Sequence, residues 1–143
     1  MRKLLLAFCL LISACAAPGS APPDIVQALA PSGALRAAMA SNDPVSAEVA
    51  RQLARRLGVP LVKTTFDARY DVAFALPEAA RAAQLDFTEP YVVLDGRPRV
   101  IAIARGREQA GDYVRGFLAE MKDSGVIAQA IERTGVQARA SLP

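Results

Sequence analysis

Behind Arg2 and Lys3, Leu4 to Ile12 is an unbroken apolar run that ends in the small residues Ser13 and Ala14 before Cys15. The run is too short to span a bilayer as a helix, and its basic–apolar–small order is that of a secretory signal peptide. Beyond it the hydrophobic pattern becomes that of a folded domain. Ile25, Val26 and Leu29 predict a short helix after Asp24, closed by Pro31-Ser32-Gly33. Ala34 to Ala40 reads as a strand. Val49, Leu53 and Leu57 form an i, i+4 stripe backed by Ala50 and Ala54, which predicts a helix from Ser46 to Leu57 with Ser46 as its N-cap and Gly58 and Pro60 as its stop. Leu61 to Phe66 is then a strand, and this β-α-β start favours a parallel pair.

Tyr70 to Leu76 is nearly all apolar, the mark of a central strand, and Pro77 opens a short helical stretch reaching Leu85. Val92 to Leu94 and Arg99 to Ala104 read as strands around the turn Asp95-Gly96-Arg97-Pro98. The last third predicts helices only. Ala110, Tyr113, Val114, Phe117, Leu118 and Met121 recur at helical spacing until Gly125, and Ile127, Ala130 and Ile131 make a second helix ending at Gly135.

Composition narrows the class. The ending Ile12-Ser13-Ala14-Cys15 resembles a bacterial lipobox, so Cys15 is expected to be acylated after cleavage of residues 1–14, with an ordinary signal peptide as the alternative. Residues 15–23 then form the lipidated cysteine and its tether, and 24–143 one α/β domain. The expected location is the periplasm or cell envelope, lipid-anchored to the membrane. Of the net charge of +3, the signal accounts for Arg2 and Lys3, which leaves 15 basic against 14 acidic side chains. That balance gives no electrostatic footprint for nucleic acid. Cys9 leaves with the signal and there is no histidine, so neither a metal site nor the commonest general base is on offer. No cofactor, no metal and no enzymatic activity are expected.

Three places could carry chemistry. Asn42-Asp43-Pro44 lies at a strand's carboxyl end just before a helix, where ligands collect in α/β sheets, although the same residues equally make a plain turn. Arg81 stands alone among alanines; a solvated surface charge is the commoner role, and a guanidinium fork for a ligand carboxylate the functional one. Asp86-Phe87-Thr88-Glu89-Pro90-Tyr91 reads as a turn, with Asp86 or Thr88 capping backbone groups and Phe87 and Tyr91 packing inward.

That last stretch, Asp-Phe-Thr-x-Pro-Tyr with Arg81 five residues upstream, resembles the family 3 solute-binding proteins of ABC importers. Ala30 to Arg36, Ala54 to Pro60, Tyr70 to Phe74 and Phe117 to Gly125 are similar to further segments of that family in the same order, over most of residues 25 to 135. The resemblance implies an α/β fold: one three-layer lobe of the type II periplasmic-binding fold, a mixed sheet with the C-terminal helices packed on it. It implies a small polar or carboxylate solute such as an amino acid, Arg81 as its carboxylate anchor with Asp43 at the same edge, and an ABC permease as partner.

The chain departs from the family in three ways. It runs from Tyr91 through a turn to the terminal helices, leaving no residues for a second lobe, so binding is expected to be weak or lost. Self-association is the route by which a second copy supplies the missing wall. Only Asp67, Ala68 and Arg69 separate the strands at 61–66 and 70–76, where relatives carry a helix; the two strands are expected to form a hairpin, or one of them to move or dissolve. Phe74, Ala75 and Leu76 stand where relatives place hydroxyl or glycine donors. The alternative function is a non-binding structural or interaction lipoprotein, or a degenerate remnant.

Overall fold

A computed structural model describes residues 21–136 and 138–141. Cys15, the cleavage site and most of the tether lie outside the described residues. Among those described, no helix is long and apolar enough to cross a membrane. The order of elements is α1 (Pro23–Leu29), β1 (Leu35–Ala38), α2 (Pro44–Leu57), β2 (Leu61–Thr64), β3 (Val72–Ala75), α3 (Pro77–Ala82), β4 (Asp86–Phe87), β5 (Val92–Leu94), β6 (Arg97–Ile103), α4 (Glu108–Asp123), α5 (Val126–Thr134) and β7 (Ala138–Ala140). The folded part takes in Ala21, whose N–H donates to Arg56 O at 2.9 Å, so the domain starts a few residues before Asp24.

The strands form one mixed sheet in the order β2-β1-β3-β6-β5-β7, with β4 beside β6. β1 is parallel to β2 and β3; the remaining pairs are antiparallel. Alternation along each strand builds two unequal layers. Val72 and Phe74 of β3, with Ile101 and Ile103 of β6, face the large core under α1, α2, α4 and α5. Ala73 and Ala75, with Val100 and Ala102, face a thin second core under α3 through Ala80. Small residues on that side let a six-residue helix close the layer. This is the three-layer α/β architecture expected from the sequence.

The linkage between β2 and β3 differs from expectation. The two strands form no hairpin, and neither is lost. They flank β1 as parallel strands, Thr64 pairing at Ala38 and Val72 at Ala37. β3 therefore starts at the level where β2 stops. The connection has only to step sideways across β1, about 10 Å at two strand spacings, rather than return along a strand. Residues 65–71 cover that step easily, and the ten-residue minimum for a crossover does not apply.

Three local expectations are also corrected. α2 begins at Pro44, and its cap is Asp43 rather than Ser46: the Asp43 carboxylate accepts the Ser46 N–H at 3.0 Å. Pro44 at the first helical position has no N–H to leave unsatisfied. The β5–β6 turn is only Asp95-Gly96, both with positive φ (52° and 73°), which suits the twist of a two-residue hairpin. Arg97 and Pro98 belong to β6, where Pro98 opposes Val93 in the alternate, non-hydrogen-bonded position and a missing N–H costs little. Finally, the C-terminal third is not wholly helical, because β7 pairs with β5. Ala138-Arg139-Ala140 has no β-propensity to announce it, and the strand exists only because β5 offers a free edge.

Candidate functional site

The carboxyl ends of β1 and β2 and the N-terminus of α2 enclose an open groove of about 1110 Å³, closed on its far side by Ala130, Arg133 and Thr134 of α5. Met39, Ala47 and Ala130 make its apolar floor; Glu48, Arg51, Lys63, Asp67 and Arg133 make a charged rim. This is where an α/β sheet leaves backbone and side chains free to meet a ligand.

Asp43 lines the groove but spends its carboxylate inside the protein. Besides the Ser46 N–H it accepts the Ser46 hydroxyl at 2.5 Å, and Arg99 Nε lies 3.5 Å away. The Asp43 side chain is fully buried and that of Arg99 is part-buried, 15% exposed. Ser46 Oγ is also hydrogen-bonded to the Tyr91 hydroxyl. Because the Ser46 proton goes to the carboxylate, Tyr91 donates to Ser46, which gives a chain Tyr91–Ser46–Asp43 with Arg99 as counter-charge. Burial pushes the Tyr91 phenol well above its ordinary range, and the Asp43 charge adds to the rise. A serine bonded to a carboxylate could suggest a nucleophile, but Ser46 is fully buried and no substrate reaches it. The cluster ties α2 to β5 and β6.

Glu48, one turn into α2, accepts from Gln52 at 3.0 Å and Arg51 at 2.6 Å, with Arg133 at 3.8 Å across the groove. The Gln52 hydrogen bond, followed by that of Arg51, holds its carboxyl below the usual range. Lys63 is exposed on the rim and makes no ion pair among the described residues. The Thr65 side chain likewise lowers the Asp67 carboxyl.

Arg81 is elsewhere. It sits in the last turn of α3, on the opposite face of the sheet from α2, exposed, with its guanidinium 5.6 Å from the Phe87 ring centre. The two residues singled out in the sequence are thus not brought together: Asp43 belongs to the groove, and Arg81 is not among the residues that line it. Asp86 and Phe87, expected in a turn, form β4 against β6; Phe87 packs on the thin second core and is part-buried beneath Arg81, whereas Tyr91 is fully buried, edge-on to Phe74 at 6.1 Å. Thr88 donates to Glu89 O at 2.9 Å, a local backbone bond as expected, and also accepts the N–H of distant Ile101 on β6 at 3.1 Å. Sequence reasoning missed Arg99, Glu48 and Lys63. Glu48 carried a signal as an i, i+3 and i, i+4 partner of Arg51 and Gln52; Arg99 carried none, because its partner is distant in sequence.

No family model matches the chain, and no curated protein does. Solved structures do. The chain aligns with an arginine-bound, singly substituted form of domain 1 from TmArgBP at 21% identity and a TM-score of 0.54, over 68% of this chain and 98% of that one. It also aligns with an ancestral cationic amino acid solute-binding protein, AncCDT-1, at 15% identity and a TM-score of 0.58, over 76% of this chain and 98% of that one. The fold is that of a solute-binding-protein lobe. At these identities the likeness speaks for architecture alone, a mixed sheet with helices packed on it.

Proposed function

We propose that this chain is an exported, lipid-anchored, single-lobe relative of the family 3 solute-binding proteins of ABC importers, holding a small polar carboxylate solute such as an amino acid weakly in the open groove. The observation that carries the reading is the groove itself, set at the strand ends of a solute-binding fold with Lys63 exposed on its rim. The Asp-Phe-Thr-x-Pro-Tyr box at Asp86–Tyr91 and the arginine-bound state of domain 1 from TmArgBP support it. The function is binding rather than catalysis, since the single serine–carboxylate pair at the groove is sealed in the core.

A carboxylate held by Lys63 or Arg133, or by Arg81 as the family resemblance has it, gains one charge-assisted pair that stays in water. A monomer should therefore bind free amino acids no tighter than about millimolar, roughly 4 kcal/mol. Titration calorimetry of the purified chain against an amino-acid panel that includes arginine checks this at low and high salt. Binding is expected to fall with salt and to be lost in Lys63→Ala if the groove is the site, or in Arg81→Ala if the family anchor operates. Micromolar binding by a demonstrated monomer sinks the open-groove argument. No binding at all returns the chain to the second reading, a structural or interaction lipoprotein, which the internal pairing of Asp43 favours.

A further inference from the structure

We infer that β2 is a self-association edge, and that its partner is a second copy of this chain paired antiparallel across a two-fold axis at Val62. β2 is the outermost strand at one edge of the sheet, bonded only to β1, with β7 at the other edge. Val62 and Phe66, 45% and 48% exposed, are the large hydrophobic side chains left open among the described residues, and one is on this strand and the other in the turn after it. α3 packs on β3, β4 and β6, and the connection at 65–71 is too short to hold a covering helix, so this end of the sheet is bare on the α3 side.

The backbone selects the register. Pro60 O and Thr64 O accept from Leu35 and Met39, so alternate residues, Val62 included, spend their backbone groups on β1. The N–H and C=O groups of Leu61 and Lys63 point outward and unpaired. A two-fold that pairs Lys63 with Lys63 of the partner copy sets like charges opposite each other. Pairing Leu61 with Lys63 of the partner copy avoids this and makes two reciprocal hydrogen-bonded pairs. It also places Val62 against Val62 of the partner copy in the close, non-hydrogen-bonded position, where β-branched pairs pack best.

Charge agrees with this arrangement. Asp67, exposed and without an ion pair among the described residues, lies just past the carboxyl end of β2; exposed Arg55 lies in the last turn of α2, at the end where the chain enters β2. Antiparallel pairing sets each against the other across the axis, twice. The same pairing brings the end of the partner copy's α2 to the flank of the groove formed by Lys63 to Asp67, where a single copy is open.

Cysteine cross-linking in the full chain carrying Cys9→Ser and Cys15→Ser, which removes its two native thiols, tests the inference, because facing non-hydrogen-bonded residues have Cβ atoms at about 4.5–5.5 Å, close to disulfide reach. Val62→Cys should give a covalent dimer on a non-reducing gel after mild oxidation, and Lys63→Cys, off the axis, should not. Asp67→Arg should weaken the Val62→Cys cross-link several-fold and Arg55→Asp in the same chain should restore it. A Val62→Cys chain that stays monomeric overturns the inference, as does equal cross-linking at both positions. Circular dichroism confirms that each variant is folded, and the outcome is independent of whether any solute binds.

Discussion

Tyr91, Asp43 and Arg99 show how single side chains hold this fold together. Tyr91 is neutral in the native state, and its phenol is raised above the ordinary value near 10 by burial and by the Asp43 charge. The unfolded chain ionises first as pH rises, so the stability that Tyr91 contributes is complete below about pH 10 and is lost as pH climbs beyond it. Tyrosinate absorbance followed alongside far-UV circular dichroism should show the Tyr91 share appearing only as the helices melt; a share that ionises with the fold intact would show that the phenol is not sealed. Asp43 does more. Its removal strips a helix cap and takes the counter-charge from the part-buried Arg99 guanidinium, which keeps a hydrogen bond to Arg97 O; the cost of breaking a fully buried pair, about 3–5 kcal/mol, is the upper bound. Asp43→Ala should unfold at much lower urea than the parent, and a loss below about 1 kcal/mol would mean that water replaces the pair.

At the scale of elements, α4 is the main keel. Ala110, Val114, Phe117, Leu118 and Met121 are buried against the sheet, while Tyr113, expected among them, is only half-buried on the helix flank. Phe117 also lies under the Arg56 guanidinium, 5.7 Å from its ring centre, joining α4 to the end of α2. Truncating such a ring typically costs about 3–5 kcal/mol, a large share of the stability of a domain this small. Phe117→Ala should lower the thermal midpoint sharply or unfold the domain. A near-neutral result would place α4 outside the main core. The elements that needed no tertiary help to foresee are those with a period of their own: α2 and α4 from their stripes, and β3 from its unbroken apolar run. β7, with no apolar pattern, and the start of α2 at Pro44 were not readable in this way.

Taken whole, the molecule has two poles. α2 runs from the groove at Asp43 to Arg56, and Ala21, where the described chain begins, is bonded at that far end. Fourteen helical residues set the two ends of α2 about 20 Å apart. The anchor has its own test: the mature chain should begin at Cys15 and partition into detergent, and Cys15→Ser should release it or leave it unprocessed. A serine variant that is cleaved and localised like the parent would remove the lipid from the account.

The order of the helices and of the strands other than β4 and β7, the central place of β3 and the class of fold were legible in the sequence because they follow from local periodicity, and the box at Asp86–Tyr91 pointed to the family it resembles. What only the tertiary structure decided depends on which distant segments become neighbours. Local spacing could show that β2 and β3 lacked room for a crossover, but not that a staggered register on β1 removes the need for one. It could mark Asp43 and Arg81 as polar residues at strand ends. It could not show that β6 would bring Arg99 up to claim the Asp43 carboxylate, or that α3 would carry Arg81 to the other face. Periodicity records how a segment meets a core; charge pairing and site assembly are contacts between segments, and they exist only once the sheet has closed around β1.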